Sequence, residues 1–306
     1  MERIFAFLGI SMVLIFVGAV VLTTYQSGQR DAKKTVALFE IAPERVDRIR
    51  IEGPDGAEAL ILRAGESWIL PDLGDFPADS ARVKETLDRL LLTRRILPVG
   101  SGVEAQQEYK VADDNFERRL TLSAGDTTLT TVYLGSPQGP RQSHARLAGN
   151  ENVYAVAFGL YDAEADVSAW IDRNLLQVPA AEIAAIDVSG LHIVHDAQKP
   201  GSNHAAAAWH LDGSAGDEKL DGDAVARLAD LLGELRVEGI RDSGTQPDYG
   251  LDDPQMSLTV TRRDGRRIDV RLGKSALEQD WSLKASIRPE HFRLSGYSAH
   301  RLIEAA

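Results

Sequence analysis

Compared with itself, the chain shows one order of features twice, and that internal repeat constrains its fold more than any local motif. The first copy opens with Ile41-Ala-Pro-Glu-Arg-Val-Asp-Arg-Ile-Arg-Ile-Glu-Gly53 and the second with Val178-Pro-Ala-Ala-Glu-Ile-Ala-Ala-Ile-Asp-Val-Ser-Gly190. In both, a Pro-containing lead runs into an alternating strand that ends in Gly. A tryptophan strand follows, at Trp68 and again at Trp209, an offset of 141. Next comes a helical pattern in which Leu87, Leu90 and Leu91 recur as Leu228, Leu231 and Leu232, the spacing that lines one helical face. Tyr109 matches Tyr249 at an offset of 140, and Leu134-Gly135 matches Leu272-Gly273 at 138. The falling offset implies small loop deletions within one shared design.

Between these landmarks the chain alternates as strands, at Arg119 to Ser123, Leu129 to Leu134, Met256 to Thr261 and Arg267 to Leu272. Asp264-Gly265 joins the last two as a tight hairpin. Further strands are predicted at 144–147, 153–156, 283–287 and 291–294, and short closing helices at 161–165 and 298–304. The predicted class is therefore α+β, two tandem units each built of a mainly antiparallel sheet, one long amphipathic helix and a short closing helix. Their expected limits are 36–177 and 178–306.

Residues Ile4 to Thr24 are a run of 21 without a charged side chain. At 1.5 Å per residue such a helix spans about 30 Å, the thickness of a bilayer's hydrocarbon core, and it exceeds the ~7–15 residues of a signal peptide's apolar region. Residues 1–35 are read as an uncleaved single-pass anchor with a short tether. The flanking charges, Arg3 on one side against Arg30, Lys33 and Lys34 on the other, put the bulk of the chain in the cytoplasm on a simple count, but so short a head leaves orientation open.

With 306 residues and no cysteine, the chain excludes disulfide scaffolds, thiol catalysis, iron–sulfur clusters and cysteine-ligated zinc. A net charge of −12 argues against nucleic-acid binding, which needs Lys and Arg to neutralise phosphates. No glycine-rich phosphate loop, nucleophile elbow or zinc-protease motif occurs, so no catalytic residue, metal or cofactor is expected. His192, His195, His204 and His210 fall close together, but the first two sit on opposite faces of a strand. Asp212, Asp217, Glu218, Asp221 and Asp223 lack the order of a calcium loop. Asp221-Gly-Asp223, like Asp79-Ser80, suits a helix start better. Asp252-Asp253-Pro254 and Asp113-Asp114 read as repeated structural turns. The four tryptophans, Trp68, Trp170, Trp209 and Trp281, read as core or interface residues. Arg262, Arg263, Arg266 and Arg267 around the hairpin turn are the concentrated basic feature, either a solvated strand tip or a contact for anionic headgroups or an acidic partner.

The opening strand at Val46, the Trp68 strand, a helix over Ser80 to Ile96, the turn Tyr249-Gly250-Leu251-Asp252-Asp253-Pro254 and the strand ending in Leu272-Gly273 together resemble the bacterial domain-of-unknown-function family 4340, in two copies across nearly all of the chain beyond the anchor. Copy one departs at the turn, where Tyr109-Lys-Val-Ala-Asp-Asp lacks the Gly and the Pro. The resemblance implies a single-pass envelope protein associated with the permease, ATPase and auxiliary subunits of an ABC-type export system related to gliding-motility transporters. It places the soluble part in the periplasm and implies no catalytic residue. The expectation is a non-enzymatic accessory or scaffold subunit. The alternative is a binding module for a lipid, glycan or peptide held between the repeats.

Overall fold

A computed structural model describes residues 35–196, 209–212, 220–241, 249–275 and 280–306. The expected anchor, residues 4–24, lies outside them. Among the described residues no helix is long and apolar enough to cross a membrane. Compact packing divides the chain between Trp170 and Ile171, seven residues before the expected repeat boundary. The hydrogen bonds explain the difference. The Trp170 carbonyl accepts from the Asp79 amide, within the first unit, whereas Arg173 and Val178 bond to Val237 and Leu232 in the second.

The first unit contains β1 (Val36–Ala37), β2 (Arg48–Glu52), β3 (Glu58–Ala64), β4 (Ser67–Leu70), β5 (Phe76–Pro77), α1 (Ser80–Leu91), β6 (Arg94–Arg95), β7 (Gly100–Ser101), α2 (Gly102–Glu108), β8 (Arg118–Ala124), β9 (Thr127–Gly139), β10 (Gln142–Leu147) and β11 (Asn152–Val156). The second contains β12 (Ile183–Val188), β13 (Leu191–His195), β14 (Trp209–Leu211), α3 (Gly222–Gly233), β15 (Gly239–Arg241), β16 (Met256–Arg262), β17 (Arg267–Lys274), β18 (Trp281–Ala285), β19 (His291–Leu294) and α4 (Gly296–Ala305).

Each unit is built on one antiparallel sheet. The order is β5-β4-β3-β2-β8-β9-β10-β11-β7 in the first and β14-β13-β12-β16-β17-β18-β19-β15 in the second. Apart from the extra β5, the two paths are the same, so the sequence repeat is a repeat of topology. Strand alternation builds each core. Ile49 and Ile51 of β2 lie level with Leu122 and Leu120 of β8, and all four are buried. Against this face packs the apolar stripe of α1, with Val83, Leu87 and Leu90 buried. In the second unit Val225, Leu228 and Leu232 of α3 are the buried stripe. Both helices start where the acids suggested. The Asp79 carboxylate accepts from the Arg82 amide at 3.0 Å, and that of Asp221 from the amides of Asp223 and Ala224 at 3.1 Å.

Several short strands and three helical elements differ from the sequence reading. Helix α1 stops at Leu91 rather than running to Ile96, because Arg94 and Arg95 pair as β6 with Ala37 and Val36. The first closing helix is a single 3₁₀ turn, Leu160–Asp162. Helix α2 was not foreseen.

The landmark pairs of the repeat turn out to be the two sides of one contact. A Cβ placed on Gly135 would lie 1.9 Å from the Tyr109 carbonyl oxygen, and one on Gly273 would lie 2.2 Å from that of Gly250 and 2.7 Å from that of Tyr249. The Tyr turn crosses directly over the Leu-Gly strand, and only glycine leaves room for it. Gly250 has φ +67° there, and Lys110 holds the corresponding place in copy one with φ +56°.

Candidate functional site

The outward face of the second sheet carries a row of ionisable side chains set level with one another by strand register. Arg241 of β15 pairs with His291 of β19, His291 with Lys284 of β18, and Lys284 with Arg271 of β17. One step along the strands, Asp187 of β12, Thr259 of β16 and Asp269 of β17 form a second row. The two rows meet in a groove of about 610 Å³ whose walls include Asp187, His192, Ser257, Asp269, Arg271 and Lys284.

Most of these groups are held by neighbours. Asp187 takes the His192 ring nitrogen at 2.5 Å and the Arg267 guanidinium at 3.7 Å. Asp269 accepts from the Thr259 hydroxyl at 2.7 Å, while its own amide donates to the Ser286 hydroxyl at 2.9 Å. The Lys284 ammonium donates to the carbonyls of Pro289 and Glu290. Burial lowers the Lys284 pKa, with the Arg271 charge adding to the effect and Glu290 opposing it. Burial likewise pulls His291 below the ordinary imidazole value, helped by Lys284 and Arg271. Arg271 projects into the groove exposed. This arrangement can orient an anionic group on Arg271 and Lys284, with hydroxyls or amines facing Asp187 and Asp269.

The same face of the first unit is filled instead. There α2 and the turn after it cover the sheet, and Ala105, Val111, Tyr133 and Val153 form a small core with Tyr109 and Phe116 packed against it. Arg146 is buried beneath. It donates to the Val111 carbonyl at 2.6 Å, pairs with Asp113, and holds its guanidinium 4.5 Å from the Tyr133 ring centre. The Arg146 hydrogen bond keeps the Asp113 carboxyl below the usual range, and burial raises the Tyr133 hydroxyl. Asp113 therefore serves the fold of its turn, as the repeated-turn reading implied.

The basic hairpin is tied into its own unit. Arg262 pairs with Glu182. Arg263 donates to the Ala181 carbonyl at 2.6 Å and contacts His195 at 2.8 Å, Arg266 pairs with Asp264 at 2.6 Å, and Arg267 with Asp187. Of the signature turn, Tyr249 and Leu251 are buried, Gly250 supplies the positive φ, and Asp252 and Asp253 point outward ahead of Pro254. Tyr249 rests against His291 at 5.1 Å between ring centres and under Arg241 at 5.2 Å, so the turn braces one end of the ionisable row.

His195 packs edge-on to Trp209 at 4.6 Å, and burial depresses its pKa. His204, Asp217 and Glu218 lie outside the described residues, among which no group of three His, Asp or Glu side chains could hold a metal. All four tryptophans are buried. The groove itself was missed from sequence. Alternation in β17 puts Arg267, Asp269 and Arg271 on one face, but their neighbours come from strands far away in the chain.

Fold and groove together define the class: a tandem antiparallel-sheet α+β protein whose two copies share topology and differ in how one sheet face is used. The family follows from comparison. Residues 68–219 match the family model described as Domain of unknown function (DUF4340). The match runs once, from the Trp68 strand across the division at Trp170, rather than twice, and it ends before the Tyr249 turn. No curated protein and no solved structure matches the chain.

Proposed function

We propose that the chain is a membrane-anchored, non-enzymatic accessory subunit of an ABC-type transport complex in the bacterial envelope, with both sheet units on the periplasmic side. The observation that carries this reading is the uncharged 21-residue run that ends at Thr24, twelve residues before the first strand of a folded unit at Val36. Support also comes from the resemblance to envelope proteins of such systems and from the groove chemistry. There the carboxylates, imidazole and ammonium are engaged with one another or with main-chain carbonyls, as in a binding face, rather than aligned as nucleophile, base and orienting group. The test is purification of the native chain in mild detergent followed by mass spectrometry. Permease and ATPase subunits are expected to co-purify, and the chain alone would overturn the proposal. Because the chain has no cysteine, a single cysteine in place of Glu66 reports topology cleanly. A membrane-impermeant maleimide added from outside the inner membrane should label it.

A second reading, a ligand-binding module, is favoured by the groove alone. Its polar, charged walls suit an anionic glycan or peptide better than a lipid tail. Arg271→Glu should then abolish binding of such a ligand while leaving the thermal unfolding profile unchanged.

A further inference from the structure

The first unit exposes more apolar surface in one short segment than a solvated surface ordinarily carries. Directly after α1, Leu92 is 72% exposed, Ile96 46%, Leu97 73% and Val99 42%. Their main chain is fixed from both sides: β6 pairs with β1, the Leu38 amide donates to the Thr93 carbonyl at 2.9 Å, and the Val99 amide to the Val153 carbonyl at 2.8 Å. A fifth apolar group joins them through an ion pair. Arg89, in the last turn of α1, grips Asp162 with two bonds of 2.5 and 3.0 Å, which ties the adjacent Tyr161, 76% exposed, to the end of α1 that leads into Leu92. In β6 the two arginines part. Arg95 turns inward to the Tyr154 hydroxyl at 2.5 Å, and Arg94 faces outward.

We propose that Leu92, Ile96, Leu97, Val99 and Tyr161 form a shallow membrane contact, seated in the interfacial layer of the bilayer that residues 4–24 cross. This inference rests on the anchor reading above. The path of the chain selects the occupant. Strand β1, the first element among the described residues, pairs with β6 inside the apolar segment itself, and the twelve residues from Thr24 to Val36 reach at most about 40 Å when fully extended. The patch is thus kept within that reach of the membrane. Charge agrees: Arg30, Lys33 and Lys34 precede β1 in sequence and Arg94 lies within the patch, where each attracts anionic headgroups. The acidic neighbours are offset by cations: Asp31 lies among Arg30, Lys33 and Lys34, Asp88 pairs with Lys84, and Asp162 with Arg89. Aliphatic tips carried on a main chain tied down at Thr93, in β6 and at Val99, with a tyrosine at the margin, suit an interface a few ångströms deep and not a span.

The test uses the full chain in lipid nanodiscs containing phosphatidylglycerol, with one environment-sensitive fluorophore on a single introduced cysteine. Three positions are compared: Leu97→Cys in the patch, Glu66→Cys in the β3–β4 turn, and Val13→Cys in the apolar run. Brominated lipid should quench the label at 97 by about twofold and leave the label at 66 unchanged, the depth expected of an interfacial contact. Adding Leu92→Glu and Ile96→Glu should abolish quenching at 97, with an unchanged circular dichroism spectrum showing that the unit stays folded. Quenching at 13 without quenching at 97 overturns this contact and leaves the anchor standing. No quenching at 13 overturns the anchor reading and the contact with it. A label at 97 shielded from aqueous iodide yet insensitive to brominated lipid means that protein, such as a second copy, covers the patch, and that also overturns the proposal.

Discussion

At Gly135 and Gly273 a main-chain oxygen occupies the place where a side chain would begin. Alanine there has no relaxed position, because the obstructing atom belongs to the backbone of a turn rather than to a side chain that can swing away. Gly135→Ala or Gly273→Ala should each cost about 3 kcal/mol or more, read as a lower urea midpoint. Gly139→Ala, with no atom in its way, should cost far less. From sequence these glycines were legible as landmarks of a repeat. Their cause was not, since the carbonyls of Tyr109 and Gly250 arrive from elsewhere in the chain. Lys110 shows the same limit: without the fold it read as a departure from Gly250, whereas it adopts the same left-handed backbone. The histidines give a pH prediction. Burial lowers the folded-state pKa of both His195 and His291 below the ordinary 6.5. The unfolded chain then takes up protons first as the pH falls, so stability should be flat above about pH 6.5 and decline below it. Replacing both by Gln should flatten that decline in urea titrations between pH 7 and 5.

Among the elements, α1 and α3 were the most legible because leucines at i, i+3 and i+4 recur in both copies and an aspartate precedes each. The stripe and the cap make separable contributions. Leu228→Ala, which empties a buried site of α3, should cost about 2–5 kcal/mol, and Asp221→Ala, which leaves two amides uncapped, about 1 kcal/mol. Leu92→Ala, just past the end of α1 and exposed, should change stability by less than about 0.5 kcal/mol, as a surface substitution does. Denaturant titrations of the three variants check the ranking. The far end of α1 was illegible because β1, more than fifty residues earlier in the chain, claims Arg94 and Arg95 for a ladder. Helix α2 was illegible for a different reason. It spans seven residues with Ala105 alone buried, so it carries no apolar stripe to read. The candidate groove combines both difficulties. Each strand shows its outward charges by alternation, yet only the register of β15, β19, β18 and β17 sets Arg241, His291, Lys284 and Arg271 side by side.

Across the whole chain, two copies of one topology have been given different outer faces. The first unit spends that face on a second small core under α2, with Arg146 and Tyr133 sealed beneath it. The second keeps the corresponding strands polar, with Arg271 at the position of Tyr133 by the offset of 138 that also relates Gly135 to Gly273. Duplicated units can diverge in this way only if each holds together through its own core. In the second unit that core runs through Ile186, Val260, Leu272, Leu283, Phe292, Leu228 and Leu302, all from residues after Trp170. A fragment of residues 171–306 should therefore fold alone, since a unit of this size buries enough surface for independent stability. The expected result is one cooperative urea transition, followed by circular dichroism. Within it, Leu272→Ala should lower the midpoint by the equivalent of about 2–5 kcal/mol. A fragment that unfolds without a cooperative transition would mean that the second copy depends on the first, and the separate use of the two faces would then need a shared core to explain it.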